Sequence, residues 1–390
     1  MPKIIAIITE YNPFHNGHKY QIDKIREENE DAIIVSIMSG NVVQRGEFAI
    51  FDKYTRAEMA INCGVDAVVE LPYPYSGSTA EIFAYGGVRL ANDLGADILY
   101  FGTETADINK LIEIADAIDS EAFERTIKDI PNYKETSYPE LKQMALKNMG
   151  YSSPKTSNDI LAVEYIRQIH KNNYNLKFKS IKRIGAKYNE EIISNCMSAS
   201  GIRKAFAQTN KFLSMPEKAT EIAEREKNNG SILDYQETIK LLYNHIIMTS
   251  VDKIEKSFDC TDGMGYFIYQ KARKAKNSVD FYESLSSKSF TTSRIKRTIL
   301  YSFFDIKKIE KTSKFFTILL ATNERGKELL RKVKKSNRLA VITKHSDAKK
   351  LNKNLYKIYQ KTKKVDEIYQ TLLETPRSVE EAYQYKPYIM

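Results

Sequence analysis

The stretch Thr9-Glu10-Tyr11-Asn12-Pro13-Phe14-His15-Asn16-Gly17-His18, directly after the apolar run Ile4-Ile5-Ala6-Ile7-Ile8, decides how the rest of the chain is read. A short aliphatic run rich in β-branched residues reads as a buried strand. Pro13 disfavours helix at Asn12, and Asn16 is a suitable N-cap for an amphipathic helix over His18 to Glu28, so a turn between residues 10 and 17 joins strand to helix. His15 and His18 then fall on the helix's first turn, beside backbone N–H groups where the helix dipole favours an anion. Gly17 between them lets a nucleotide lie against the backbone. A His-x-x-His pair alone is also compatible with a surface pair or half of a metal site. The strand before it and the Pro and Gly inside it favour phosphate recognition, with two neutral donors placed where charge develops during attack on phosphorus.

Outward from this stretch the pattern repeats. Ala32 to Met38 reads as a second strand ending in Ser39-Gly40-Asn41, Asp66 to Leu71 as a third closed by Pro72, and Ile98 to Phe101 as a fourth leading into Gly102-Thr103-Glu104. Helical segments separate them: Lys53 to Cys63, where Lys53 and Arg56 either reach a phosphate or cover the outer face, and Ala80 to Leu94. Strands alternating with helices predict an α/β fold, a parallel sheet with helices on both faces and ligands at the strands' carboxyl ends. The middle, Asn109 to Lys147, reads as helical; Ser157-Asn158-Asp159 can cap a helix over Ile160 to Lys171, and Leu176 to Ile184 is a further strand candidate carrying Arg183. A second anion element follows at Met197-Ser198-Ala199-Ser200-Gly201-Ile202-Arg203, where hydroxyls open a helix and a guanidinium can fork onto phosphate oxygens. A plain N-cap with a surface Arg is the blander alternative.

Beyond Gln208 the pattern becomes mainly helical and the charge changes sign. Residues 1–210 hold 24 Lys and Arg against 28 Asp and Glu, residues 211–390 hold 36 against 22, and residues 271–364 alone hold 27 against 7. Such an excess points to a polyanion such as RNA or to an acidic membrane face. Arg294, Arg297 and Tyr301 fall opposite the apolar stripe Ile295, Ile299, Leu300 and Phe303. A second cluster, Arg331, Lys332, Lys334, Lys335 and Arg338, precedes the strand-like Leu339 to Thr343, and a third runs from Lys349 through Lys364. Solvated surface is the alternative for each. Cys63, Cys196 and Cys260 are too widely spaced for a C-x-x-C zinc site and read as reduced residues. No stretch reaches transmembrane length and the start lacks a signal peptide's pattern, so the expected location is cytoplasmic, with no membrane and no protein partner implied. The expected division is residues 1–208, a Rossmann-like nucleotide domain, and 209–390, a mainly α-helical basic domain.

Asn12-Pro13-Phe14-His15-Asn16-Gly17-His18 resembles the HIGH motif of the nucleotidyltransferases, written G-T-F-D-P-x-H-x-G-H; it departs at Thr9-Glu10, where Gly-Thr is usual. Ser198-Ala199-Ser200-Gly201-Ile202-Arg203 resembles the I-S-S-T-x-I-R element that closes such domains. With Ser39-Gly40-Asn41, Gln44-Arg45-Gly46-Glu47, Asp52 to Met59 and Val69-Glu70-Leu71-Pro72, these phrases are similar over nearly the whole chain to the bacterial tRNA(Met) cytidine acetate ligases. That resemblance implies ATP, acetate and the wobble cytidine of elongator tRNA(Met) as substrates, with N4-acetylcytidine, AMP and pyrophosphate as products and Mg2+ on the phosphates. It implies an ATP site of Ile8, Thr9, Glu10, Tyr11, Asn12, Pro13, Phe14, His15, Asn16, Gly17, His18, Lys19, Tyr20 and Gln21, with Gly102, Asn158 and Arg183. In the expected chemistry His15 and His18 donate to the phosphate as pyrophosphate leaves toward Lys53, Ser198, Ser200 or Arg203; the basic clusters would hold RNA. No metal ligand is evident. The competing readings are an adenylyltransferase acting on a small-molecule precursor and a non-catalytic ATP- and RNA-binding protein.

Overall fold

The computed structural model describes residues 2–133, 138–182, 197–261, 263–384 and 386–390. At its centre β1 (Ile4–Thr9) pairs in parallel with β2 (Ile33–Ser39) on one side and with β6 (Ile98–Thr103) on the other. Ile5, Ala6 and Ile7 are buried on both faces, as an aliphatic run in a covered parallel strand must be. The small antiparallel ribbon of β3 (Val42–Val43) and β4 (Glu47–Phe48) rises from the end of β2. Next to β2 lies β5 (Ala67–Leu71), and outside β6 lies β7 (Lys177–Lys182). Because these strands are parallel, Thr9, Ser39, Leu71, Thr103 and Lys182 all finish on one edge of the sheet.

The helices of the first half are α1 (Asn16–Glu28), α2 (Lys53–Asn62), α3 (Ala80–Asp93), α4 (Ile108–Ile118), α5 (Glu121–Lys128), α6 (Tyr138–Asn148) and α7 (Ser157–Lys171). After it come α8 (Ala199–Thr209), α9 (Glu217–Asn228), α10 (Tyr235–Met248), α11 (Val251–Glu255), α12 (Met264–Lys274), α13 (Ser278–Glu283) and α14 (Thr292–Phe303). Two apolar clusters form, one on each face of the sheet: α3 and α7 cover one, α1 and α2 the other.

The sheet does not stop at residue 208. β8 (Phe315–Thr322) pairs antiparallel with β5, and β9 (Leu339–Ile342) and β10 (Tyr388–Ile389) pair with β8, giving the order β10-β8-β5-β2-β1-β6-β7 with β9 also on β8. β9 matches the strand expected at Leu339; β8 was not foreseen, since all eight of its residues are buried and a continuous apolar run has no period of its own. Between β8 and β9 runs α15 (Glu324–Ser336), and α16 (Lys353–Thr371) packs back toward α2 and the β3–β4 ribbon. Since β8 opposes β5, its first residue Phe315 and the facing Leu339 lie at the sheet edge where the parallel strands end. The last turn of α15 and Arg338 therefore reach that same edge.

Candidate functional site

A cleft of about 1050 Å3 opens at the carboxyl ends of β1, β6 and β7. Three helix N-termini converge on it, with Asn16 and Gly17 of α1, Ser157 and Asn158 of α7, and Ala199, Ser200 and Gly201 of α8 in its lining. Each end contributes backbone donors and the positive pole of its dipole, so the cleft favours a polyanion before any side chain is counted.

The cap of α1 lies one residue earlier than the sequence suggests. His15 is the N-cap: its Nδ1 accepts the Gly17 N–H at 3.0 Å, and Nδ1 of His18 accepts the His15 N–H at 3.2 Å. This reciprocal box has imidazole nitrogens where hydroxyl and carboxylate oxygens usually serve. In neutral imidazoles with Nδ1 accepting, the proton resides on Nε2, so both rings carry a defined N–H donor. The rings stack at 3.7 Å between centroids, and both line the cleft. A Cβ at Gly17 would stand 2.9 Å from the His15 ring, so this position accepts no side chain without disturbing the cap. Tyr11, Pro13 and Phe14 lie buried beneath; Tyr11 and Phe14 pack on His18 with ring centroids 4.8 and 5.5 Å away. Lys19 turns to Asp23.

Ser198, also in the lining, caps α8, accepting the Gly201 N–H at 3.2 Å, and its hydroxyl is 3.1 Å from that of Ser200. Arg203 donates to the Asn12 carbonyl at 2.6 Å and approaches Glu47 at 3.5 Å, which ties the second anion element to the first across 191 residues of chain. At the third N-terminus Thr156 caps α7, Asn158 donates to Glu104 at 2.7 Å, and Asp159 accepts from the backbone of Glu104 and Thr105, fixing α7 to the end of β6. Burial pushes the Glu10 carboxyl above its ordinary range, opposed by the Gln44 amide and by the guanidinium groups of Arg203, Arg45 and Arg56.

Of the residues singled out from sequence, Ile8, Thr9, Glu10, Asn12, His15, Asn16, Gly17, His18, Tyr20, Gln21, Gly102, Asn158, Ser198, Ser200 and Arg203 line this one cleft. Arg183 lies outside the described residues. Lys53 is corrected: its Nζ is buried, 2.7 Å from Glu70 and 2.5 Å from Asp366, and does not reach the cleft. Burial opposes its charge, but Asp366 and Glu70 outweigh that and raise its pKa. Arg56 neither meets a phosphate nor covers a surface; its guanidinium donates to the carbonyls of Phe51, Glu10, Ser39 and Gly40 and holds the ends of β1 and β2 together. Arg297 and Tyr301 are also corrected, since α14 is covered on the side expected to meet RNA: Arg297 packs against Gly46, and the Tyr301 hydroxyl donates to the Gly77 carbonyl at 3.0 Å. Arg294 is half-buried on Asp259 and Thr261. Arg331, Lys334, Lys335 and Arg338 are exposed, and Lys332 is half-buried on Glu328.

Sequence reading assigned no role to Gln44, Arg45, Glu47 or Glu104, although all four line the cleft and stand in phrases already singled out. It also missed the apolar wall of Phe83, Phe101, Leu161, Tyr165 and Ile181, which looks like ordinary core until the fold places it. Among the described residues no group of three or more His, Cys, Asp or Glu could hold a metal ion.

The HIGH nucleotidyl transferase family model matches residues 2–384. A tRNA(Met) cytidine acetate ligase of a Thermoanaerobacter species is 34% identical over 388 residues, 94% of each chain, and one of Thermosipho melanesiensis is 33% identical over 90% of this chain and 87% of its own. A crystal structure of Thermotoga maritima TmcAL bound with alpha-thio ATP superposes with a TM-score of 0.89 at 28% identity, covering 100% of this chain and 99% of that one. The apo form of the same protein superposes at 0.90.

Proposed function

Because this chain belongs to the HIGH nucleotidyltransferase family and, within it, to the tRNA(Met) cytidine acetate ligases, we propose how its cleft carries out their reaction. The protein is an ATP-dependent ligase that activates acetate as acetyl-adenylate and transfers the acetyl group to N4 of the wobble cytidine of elongator tRNA(Met), releasing AMP and pyrophosphate. The observation that carries the mechanism is the stacked His15 and His18 pair, its donors set by the α1 cap, lining the same cleft as Ser198, Ser200 and Arg203.

ATP lies along the loop from Ile8 to Gln21, with Gly102 and Asn158 at the adjoining strand end and helix start; Arg183 stays in the set on the resemblance alone. An acetate oxygen attacks the α-phosphorus. His15 and His18 donate to oxygens whose charge rises in the transition state, and pyrophosphate leaves toward the α8 N-terminus and Arg203. Mg2+ on the nucleotide phosphates would supply charge neutralisation as pyrophosphate leaves. The cytidine, splayed out of the anticodon loop, then attacks the acetyl carbon.

The part beyond residue 208 supplies the RNA surface, chiefly the exposed Arg331, Lys334, Lys335 and Arg338 of α15 and the turn that follows it. No helix among the described residues is long and apolar enough to cross a membrane; a tRNA substrate supports the reading of a cytoplasmic reaction. The test is incubation with ATP, acetate and bulk tRNA followed by nucleoside analysis. N4-acetylcytidine should appear only when all three are present. Adenylation without any modified tRNA would turn the cleft over to a small-molecule adenylyltransferase.

A further inference from the structure

Glu10 belongs to the nucleotide loop, but a carboxylate has no donor to give a phosphate and needs another reason to stand beside a triphosphate. Its backbone carbonyl accepts from Arg56 Nη1 at 2.6 Å, and its Oε1 accepts the Gln44 N–H at 2.8 Å. Among the described residues no hydrogen bond reaches its Oε2, and the residue lines the cleft. Backbone and one carboxylate oxygen are thus fixed while the other is offered to a ligand.

Gln44 faces two ways. Its N–H holds Glu10, while its carbonyl accepts from Arg297 Nη1 at 3.4 Å, and the rest of the ribbon turn is seated on α14 through Gly46 against the Arg297 backbone and through the ion pair of Glu47 with Lys296. The ribbon is therefore the wall shared by the cleft and the basic carboxyl-terminal part, and Glu10 stands on its cleft side.

Resting on the ligase reading above, we propose that Glu10 receives the target base: its carboxylate accepts the exocyclic N4–H of cytosine and takes that proton as N4 attacks the acetyl carbon. The N4–C bond forms, the bond between acetyl carbon and AMP phosphate oxygen breaks with its electron pair leaving on AMP, and one N4 proton passes to Oε2. A carboxylate acceptor pairs with the amino group of cytosine and repels the O4 of uracil, so the same contact selects the base. Burial raises the Glu10 pKa against Arg45 of the ribbon, Arg56 of α2 and Arg203 of α8, while Tyr165 of α7 and the α1 imidazoles share the cleft. A base shifted toward neutrality suits the proton transfer.

Glu10→Gln keeps the shape and the Oε1 acceptor for Gln44. With ATP and acetate saturating, single-turnover acetylation of tRNA should fall by roughly 10²–10⁴, far more than acetate-dependent exchange of pyrophosphate into ATP, whose persistence reports folding. In the wild type the single-turnover rate should rise with pH along a limb above the ordinary carboxylate range, and the variant should lack it. Exchange falling in step with transfer would assign Glu10 to acetate activation and overturn the proposal, as would unchanged transfer. A wild-type profile without that limb removes the base even if the variant does not fold. Wild-type protein that exchanges pyrophosphate but never acetylates tRNA fails at the ligase reading instead, and the proposal falls with it.

Discussion

Lys53 and the cluster from Arg331 to Arg338 carry the same kind of charge to opposite ends. Lys53 is drawn into the interior by Glu70 and by Asp366, which is 313 residues away, and Asn41 completes the network by donating to Asp366 at 3.0 Å. Arg331, Lys334, Lys335 and Arg338 stay exposed on α15 and the turn that follows it. A cation in a sequence is therefore neither a phosphate ligand nor a surface group until its acceptors are known. Buried ones hold walls in place; exposed ones are available to a polyanion.

The sharpest break of that contrast is Lys53→Met. It leaves two carboxylates buried without their counter-charge, a loss of about 3–5 kcal/mol by analogy with broken buried pairs. Chemical denaturation should show this as a lower midpoint. Pyrophosphate exchange per folded molecule should change little. A variant of full stability that had lost exchange would return Lys53 to the chemistry.

Next in size is His18→Ala, which acts on rate instead of stability. Removing one donor aimed at developing charge should slow adenylation by roughly 10²–10³ and leave ATP affinity within several-fold. Acetate-dependent exchange measures the first and equilibrium titration the second. Exchange at the wild-type rate would reduce His18 to the partner of the His15 cap.

Arg203→Ala comes third, because Arg203 is an intermediate case: half-exposed, yet already bonded to the Asn12 carbonyl. ATP should bind roughly tenfold to a hundredfold more weakly while AMP binding is nearly kept, as expected if the guanidinium meets only the β- and γ-phosphates. Equal losses for both nucleotides would mean that Arg203 acts by holding the Asn12 loop.

Legibility in the sequence followed the same line between local and distant partners. The strand Ile4–Thr9, the turn and the two histidines were readable because strand, cap and donors lie within fifteen residues of each other. The cap was still misplaced by one, since His15 does through Nδ1 what a side-chain oxygen would do at Asn16. Ser198 to Arg203 was readable for the same local reason. Lys53, Arg297 and Tyr301 were not, because Asp366, Gly46 and Gly77 decide their burial from other parts of the chain. β8 was lost because its partner β5 lies about 250 residues earlier and nothing in Phe315–Thr322 separates a buried strand from a buried helix turn.

The smallest expected effects are the most direct reading of the exposed set. Arg331→Gln, Lys334→Gln, Lys335→Gln and Arg338→Gln, made singly, should each leave adenylation untouched, because both phosphate elements lie before residue 204. If a residue meets a phosphate, losing its charge should flatten the slope of log tRNA affinity against log salt by about 0.7–0.9. Arg297→Gln is the matched control: the same change of charge at a buried site should lower stability and leave the slope alone. Substituting all four together with Lys332 should sum the slopes of those that touch RNA and reduce acetylation at physiological salt while pyrophosphate exchange persists. A slope unchanged through the whole series would mean that the edge is only solvated and that tRNA reaches the cleft over another face. A slope altered by Arg297→Gln as much as by Arg338→Gln would mean that burial, on which the contrast rests, does not separate the two sets.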